Sequence, residues 1–103
     1  MKHTVRKLLD YEYSKYREHL KKLDESSRHL RFGYMIKDES IDQLCDDIER
    51  DHEHHILFGI ENRDLELVAV GHIALDDKME LAFSVLKEYQ GQGMGSDLMK
   101  RCI

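Results

Sequence analysis

The chain has 103 residues, enough for one modest core and too few for two. Hydrophobic residues make up 41% and charged residues 36%, and no run approaches the ~18–20 apolar residues of a membrane span, so a well-solvated domain with no secretory leader at Met1-Lys2-His3 is expected. Lys and Arg number 16 against 21 Asp and Glu, a net charge of −5 with no basic stripe, which argues against a nucleic-acid partner.

Val5 to Leu9 reads as a short first strand. From Asp10, a plausible cap, the period changes: Tyr13, Tyr16, Leu20 and Leu23 fall at helical spacing, and the pattern breaks near Asp24. Arg28 to Lys37 is expected to be a connector anchored by Phe32, Tyr34 and Met35, with Gly33 at a turn. Ser40 followed by Gln43 has the capping-box form and predicts the start of a second helix. Ile41, Leu44, Cys45 and Ile48 form its apolar face, and Asp42, Asp46, Asp47 and Glu49 a solvated one. Three strand-like runs follow: His55–Ile60, Leu65–Leu75 and Met79–Leu86. Their short polar connections predict an antiparallel meander. Gly71, inside the second run, marks either a bulge or a close backbone approach. A last helix opens near Gly93 with Leu98, Met99 and Cys102 as its apolar stripe. It runs to Ile103 with no stop residue, so the architecture is expected to be cut short there. No repeat or linker divides the chain, and a single mixed α/β domain over residues 1–103 is expected.

Cys45 and Cys102 are too few for a disulfide framework and are expected to be free thiols in a reducing cytoplasm. His52-Glu53-His54-His55 has no second ligand group, so no metal site is assigned. His72 reads as a hydrogen-bonded histidine at the sheet.

The sharpest feature joins the last strand to the last helix: Val85-Leu86-Lys87-Glu88-Tyr89-Gln90-Gly91-Gln92-Gly93-Met94-Gly95-Ser96. Glycines let a ligand approach the backbone, and a helix start offers free N–H groups at the positive end of its dipole. Together they suit phosphate oxygens. The spacing Gly91-x-Gly93-x-Gly95 is neither the dinucleotide fingerprint nor a P-loop. Spacing alone leaves phosphate binding and a plain strand-to-helix turn equally open.

Gln90-x-x-Gly93-x-Gly95, led by Val85 and Tyr89, resembles the acetyl-CoA motif of the GNAT superfamily of N-acetyltransferases. The order of helices, antiparallel strands, loop and helix is similar as well. Residues 79–85, 93–99 and Arg28-His29-Leu30-Arg31-Phe32 resemble the acetyltransferase domain of bacterial protein-lysine acetyltransferases. The resemblance implies a GNAT-like fold, a largely antiparallel sheet with flanking helices, lacking its C-terminal part. It implies acetyl transfer from acetyl-CoA to a primary amine, on a small molecule or a protein lysine, without a metal. Backbone amides of Gln90, Gly91, Gln92, Gly93, Met94 and Gly95, with Ser96 nearby, would hold the pyrophosphate. Phe83 to Val85 would lie beside the thioester on a strand that the family bulges and splays, and Glu80 matches the candidate general base. The alternative is an acyl-CoA-binding or regulatory module with incomplete catalysis. A cut sheet would also leave its last strand as an open edge, so a homodimer or an edge-strand partner is expected.

Overall fold

The computed structural model describes residues 3–102; Met1, Lys2 and Ile103, with the parts of the expected N-terminal and final segments that fall on them, lie outside the described residues. Four strands form one sheet in the order β1-β2-β3-β4, antiparallel throughout: β1 Arg6–Lys7, β2 His55–Glu61, β3 Leu67–Leu75 and β4 Met79–Val85. Helices α1 Tyr13–Lys22, α2 Glu25–Phe32 and α3 Asp38–Arg50 lie between β1 and β2, and α4 Met94–Cys102 follows β4. This is the mixed, largely antiparallel architecture expected.

Alternation along the strands sorts the core into two halves. Leu57 and Val70 face Tyr16, Leu20, Ile41, Cys45 and Ile48 of α1 and α3. Phe58, Ile60, Phe83 and Val85 face Met94 and Leu98 of α4. The pairing of β2 with β3 slips at Ile60/Glu61, where Ile60 meets Ala69 but Glu61 meets Leu67. The extra residue is Val68, so Val68 and Ala69 both enter the α4 side of the core. The irregularity therefore lies beyond Gly71, which pairs in register with Phe58 and Phe83. Gly71 is instead a close approach: a Cβ there would stand 3.1 Å from Cys102 Sγ and 3.2 Å from the Phe83 ring. β3 and β4 pair without a shift, so the bulge implied for the last strand is absent from its pairing with β3.

Several boundaries differ from expectation. The first strand shrinks to Arg6–Lys7, because Asp10–Glu12 forms a 3-10 turn and Leu8 enters the core. Asp10 is thus inside that turn rather than a cap. Arg28 begins no connector; it lies in α2, capped by Asp24, whose carboxylate accepts from Ser27 N at 2.8 Å, and closed by Gly33 at φ +81°. Ser40 is the third residue of α3, which opens at Asp38. β3 starts at Leu67, since Leu65 turns at φ +64°. Met99 is 47% exposed and leaves the α4 stripe to Met94, Leu98 and Cys102.

Buried charges fasten the layers. Arg6 forks onto Glu12 at 3.0 and 2.5 Å and reaches Glu61 at 2.8 Å, joining β1, the start of α1 and the end of β2. The guanidinium holds the Glu12 carboxyl down at about 2. Arg28 donates to the carbonyls of Lys21, Leu23 and Ile36 and to Asp38, tying the ends of α1 and α2 to α3. Cys45 is buried and Cys102 half-buried, both as free thiols. Among the described residues no helix is long and apolar enough to cross a membrane.

Candidate functional site

β4 ends at Val85, a 3-10 turn spans Lys87–Tyr89, and α4 begins at Met94. Gly91 and Gly93 take φ +81° and +83°, the left-handed region that glycine enters without a steric penalty. Asp97 N–H donates to Gly93 C=O at 3.0 Å, the first bond of the helix. The amides of residues 91–96 find no acceptor among the described residues. A Cβ built at Gly91, Gly93 or Gly95 would meet nothing within 4 Å, so the space beside these glycines is open. The amides of 91–96 thus lie together at a helix start, whereas the Gln90 N–H, expected to join them, donates to Lys87 C=O at 3.3 Å. Met94 departs from that group in one respect: its side chain is buried against the sheet, so only its backbone faces the turn.

The Gln90 side chain does something its sequence position does not reveal. Its Nε2 donates to Val85 C=O at 2.9 Å and to Ser27 Oγ at 3.0 Å, bridging the end of β4 to α2. The edge of β4 follows from one bond. Leu86 N–H donates to Val68 C=O, so the even-numbered residues of β4 turn their backbone groups to β3. Leu81, Phe83 and Val85 turn theirs to the open edge. Gln90 occupies the Val85 carbonyl there, while the Val85 N–H remains unpaired.

Glu80 is exposed near the start of β4, opposite Ala74, on the same face as Ala82 and Ser84. That face carries two polar clusters, each formed by residues distant in sequence. In the first, buried His19 of α1 donates through Nδ1 to Leu67 C=O at 3.0 Å, so its Nε2 accepts from Ser84 Oγ at 2.8 Å. Burial pulls His19 down to about 4, against the opposing pull of the Leu67 carbonyl. In the second, Arg31 of α2 donates to Tyr16 OH at 3.1 Å and approaches His72 Nδ1 at 3.4 Å. An arginine only donates, so His72 Nδ1 accepts there and its Nε2–H donates to His55 Nδ1 at 2.9 Å. Burial first, and the Arg31 charge second, lower His72 to about 3, so it is neutral near pH 7. His72 is therefore the hydrogen-bonded sheet histidine expected. His52 and His54 sit in a 3-10 turn, and His54 pairs with Asp51 at 2.6 Å.

The arrangement offers an anion cradle of backbone donors, a strand edge beside it and a carboxylate on the same strand. Residues 10–103 match the Acetyltransferase (GNAT) family. No curated protein matches the chain. Among solved structures, glucosamine-6-phosphate N-acetyltransferase from Arabidopsis thaliana is similar at TM-score 0.57 and 18% identity, over 98% of this chain and 71% of its own. The GNAT domain of PAT from S. lividans is similar at 0.67 and 16%, over 93% and 60%. PaiA N-acetyltransferase from Thermoplasma acidophilum, solved in complex with coenzyme A, is similar at 0.63 and 16%, over 99% and 70%. The chain thus spans 60% to 71% of the length of these three structures, and at such identities they establish the fold. By its match over all but the first nine residues and by this fold, the chain belongs to the GNAT acetyltransferase family.

Proposed function

We propose that residues 1–103 belong to one N-acetyltransferase domain that moves the acetyl group of acetyl-CoA to a primary amine. The observation that carries this is the run of six unpaired amides, 91–96, beside open space at a helix start. Backbone N–H groups from Gly91 to Gly95, with the Ser96 hydroxyl, bind the pyrophosphate without a cationic side chain, while the Gln90 N–H joins them only by leaving Lys87 C=O. Phe83 and Val85 offer their open-edge backbone to the pantetheine arm. This requires the Gln90 side chain to release Val85 C=O or the arm to use the N–H groups alone. Acetyl-CoA supplies the activated acyl group and needs no metal.

An unperturbed lysine amine titrates near ~10.4 and arrives protonated. Glu80 takes that proton, directly or through water, so that the neutral nitrogen attacks the thioester carbonyl; the C–S bond then breaks and coenzyme A leaves as thiolate, which takes up the second proton lost by the nitrogen. The unpaired Val85 N–H faces the edge where negative charge develops on the carbonyl oxygen and can stabilise it. Much of the acceleration comes from holding amine and thioester together. The free thiols of Cys45 and Cys102 support a cytoplasmic setting.

Titration calorimetry with acetyl-CoA, and thiol release with an amine panel, test this. Binding is expected in the native chain and lost when Gly93→Val and Gly95→Val are combined. Glu80→Gln is expected to keep binding while lowering kcat by about 100-fold or more. Binding without turnover in the native chain would favour the binding-module alternative; no binding at all would overturn the assignment.

A further inference from the structure

Arg31 is an outlier among the arginines that the fold encloses. Arg6 holds Glu12 and Glu61, Arg17 holds Asp42 and Asp46, and Arg28 holds Asp38. Arg31 is half-buried and makes no ion pair with the described residues. Its neighbours are all neutral: Tyr16 OH, His72, and the Phe32 ring 4.4 Å from the guanidinium carbon. Its Nε is fully buried and has no hydrogen-bond partner, which no other buried side-chain nitrogen or oxygen among the described residues shows. A desolvated cation with an unused donor is costly to maintain, and the aromatic contact offsets only part of that cost. A carboxylate arriving from solvent at the exposed part of this half-buried group would supply the missing counter-charge, since the guanidinium fork matches that group.

The register places Glu80 on the same sheet face as His72, which this cation contacts. His72 pairs with Ala82, and Glu80 is the diagonal neighbour of His72 on the same face, a separation of about 7–8 Å for such positions. His72 Nδ1 in turn lies 3.4 Å from Arg31 Nη2. We propose that Arg31 receives a carboxylate of the acceptor, so that the substrate is an amino acid or another amine bearing a carboxylate, whose amine is then presented to Glu80. The proposal rests on the acetyltransferase assignment for its amine half only. Tyr16 and the neutral His72 hold the guanidinium in place and cannot serve as its counter-charge.

The test compares ω-amino acids, from glycine to 5-aminopentanoate, with the amino alcohols of the same chain lengths. The native chain is expected to favour the acid of the best length by about 10- to 100-fold in kcat/KM. Arg31→Gln should erase that preference and Arg31→Lys retain part of it, with acetyl-CoA affinity by calorimetry unchanged in both. A readout that needs no turnover is the Arg31 Nε–H resonance, which the preferred acid should shift and the alcohol should not. Equal use of acid and alcohol, a preference that survives Arg31→Gln, or a resonance indifferent to every acid would overturn the proposal. Failure to bind acetyl-CoA would instead strike the acetyltransferase assignment, while the resonance titration would still decide on Arg31. Should Arg31→Gln lose its fold, judged by its melting curve, Arg31→Lys and the resonance carry the decision.

Discussion

Gly93 and Gly95 lie two residues apart and answer to different physics. Gly93 at φ +83° occupies a backbone region that costs an L side chain roughly 1–2 kcal/mol, whereas Gly95 is in the first turn of α4 with no positive φ. Gly93→Ala is therefore expected to lower both the melting temperature and acetyl-CoA affinity. Gly95→Ala should raise the melting temperature, because alanine favours a helix by about 1 kcal/mol, yet still weaken acetyl-CoA by placing a methyl group in the open cradle. Thermal melts with and without acetyl-CoA separate the two effects; an unchanged affinity in Gly95→Ala would place the pyrophosphate elsewhere. A second residue-scale consequence concerns pH. His19 is held down to about 4 and His72 to about 3, while both titrate near 6.5 in the unfolded chain. The unfolded chain binds more protons between these values, so both contributions are complete above pH 6.5 and fall away as pH drops toward 4. The full loss is on the order of 3 kcal/mol for His19 and 5 kcal/mol for His72. Urea midpoints should hold above pH 6.5 and fall steadily from there to pH 4.5, before the carboxylate of Glu12 begins to matter; a flat profile over that range would contradict the buried neutral state of these histidines.

At the scale of elements, α2 is the piece that periodicity could not find. Its buried face is Ser27 and Arg28, and its leucine, Leu30, is 83% exposed, so no apolar stripe marks it. The legible signal was at its ends, in Asp24 and Gly33. Asp24→Ala should cost about 1 kcal/mol, a fall in melting temperature of roughly 4–8 °C for a domain of this size, with Asp24→Asn restoring most of it. Since α2 carries both Arg31 and the Ser27 that Gln90 reaches, the same variant should raise the KM for the acceptor. The strands and the glycine turn were legible because alternation, turn residues and glycine spacing are local in sequence. The His19–Ser84 and Arg31–His72–His55 contacts join residues 17 to 65 positions apart, which only the sheet register and helix packing bring together. The capping-box pattern at Ser40 misplaced the cap of α3 by three residues, because the chain leaves extended geometry at Lys37 and the helix opens on acidic residues its dipole favours.

For the whole molecule, the decisive feature is the open side of β4. Its even residues are tied to β3, and Leu81, Phe83 and Val85 present unpaired N–H groups outward. Amide hydrogen exchange along β4 should therefore alternate, slow at Glu80, Ala82 and Ser84 and fast at Leu81, Phe83 and Val85. A pantetheine arm lying along this edge protects Phe83 and Val85 but not Leu81, and only when acetyl-CoA is added. A second copy, or another strand, pairing with the edge protects all three in the absence of acetyl-CoA, and a pair of copies sediments as a dimer. The two occupants compete for the same backbone groups, so in the second case acetyl-CoA should shift the sedimentation profile toward monomer. Uniform slow exchange in a monomer without ligand would mean that the edge is covered from within the chain, and the cleft assigned to the thioester would have to lie elsewhere.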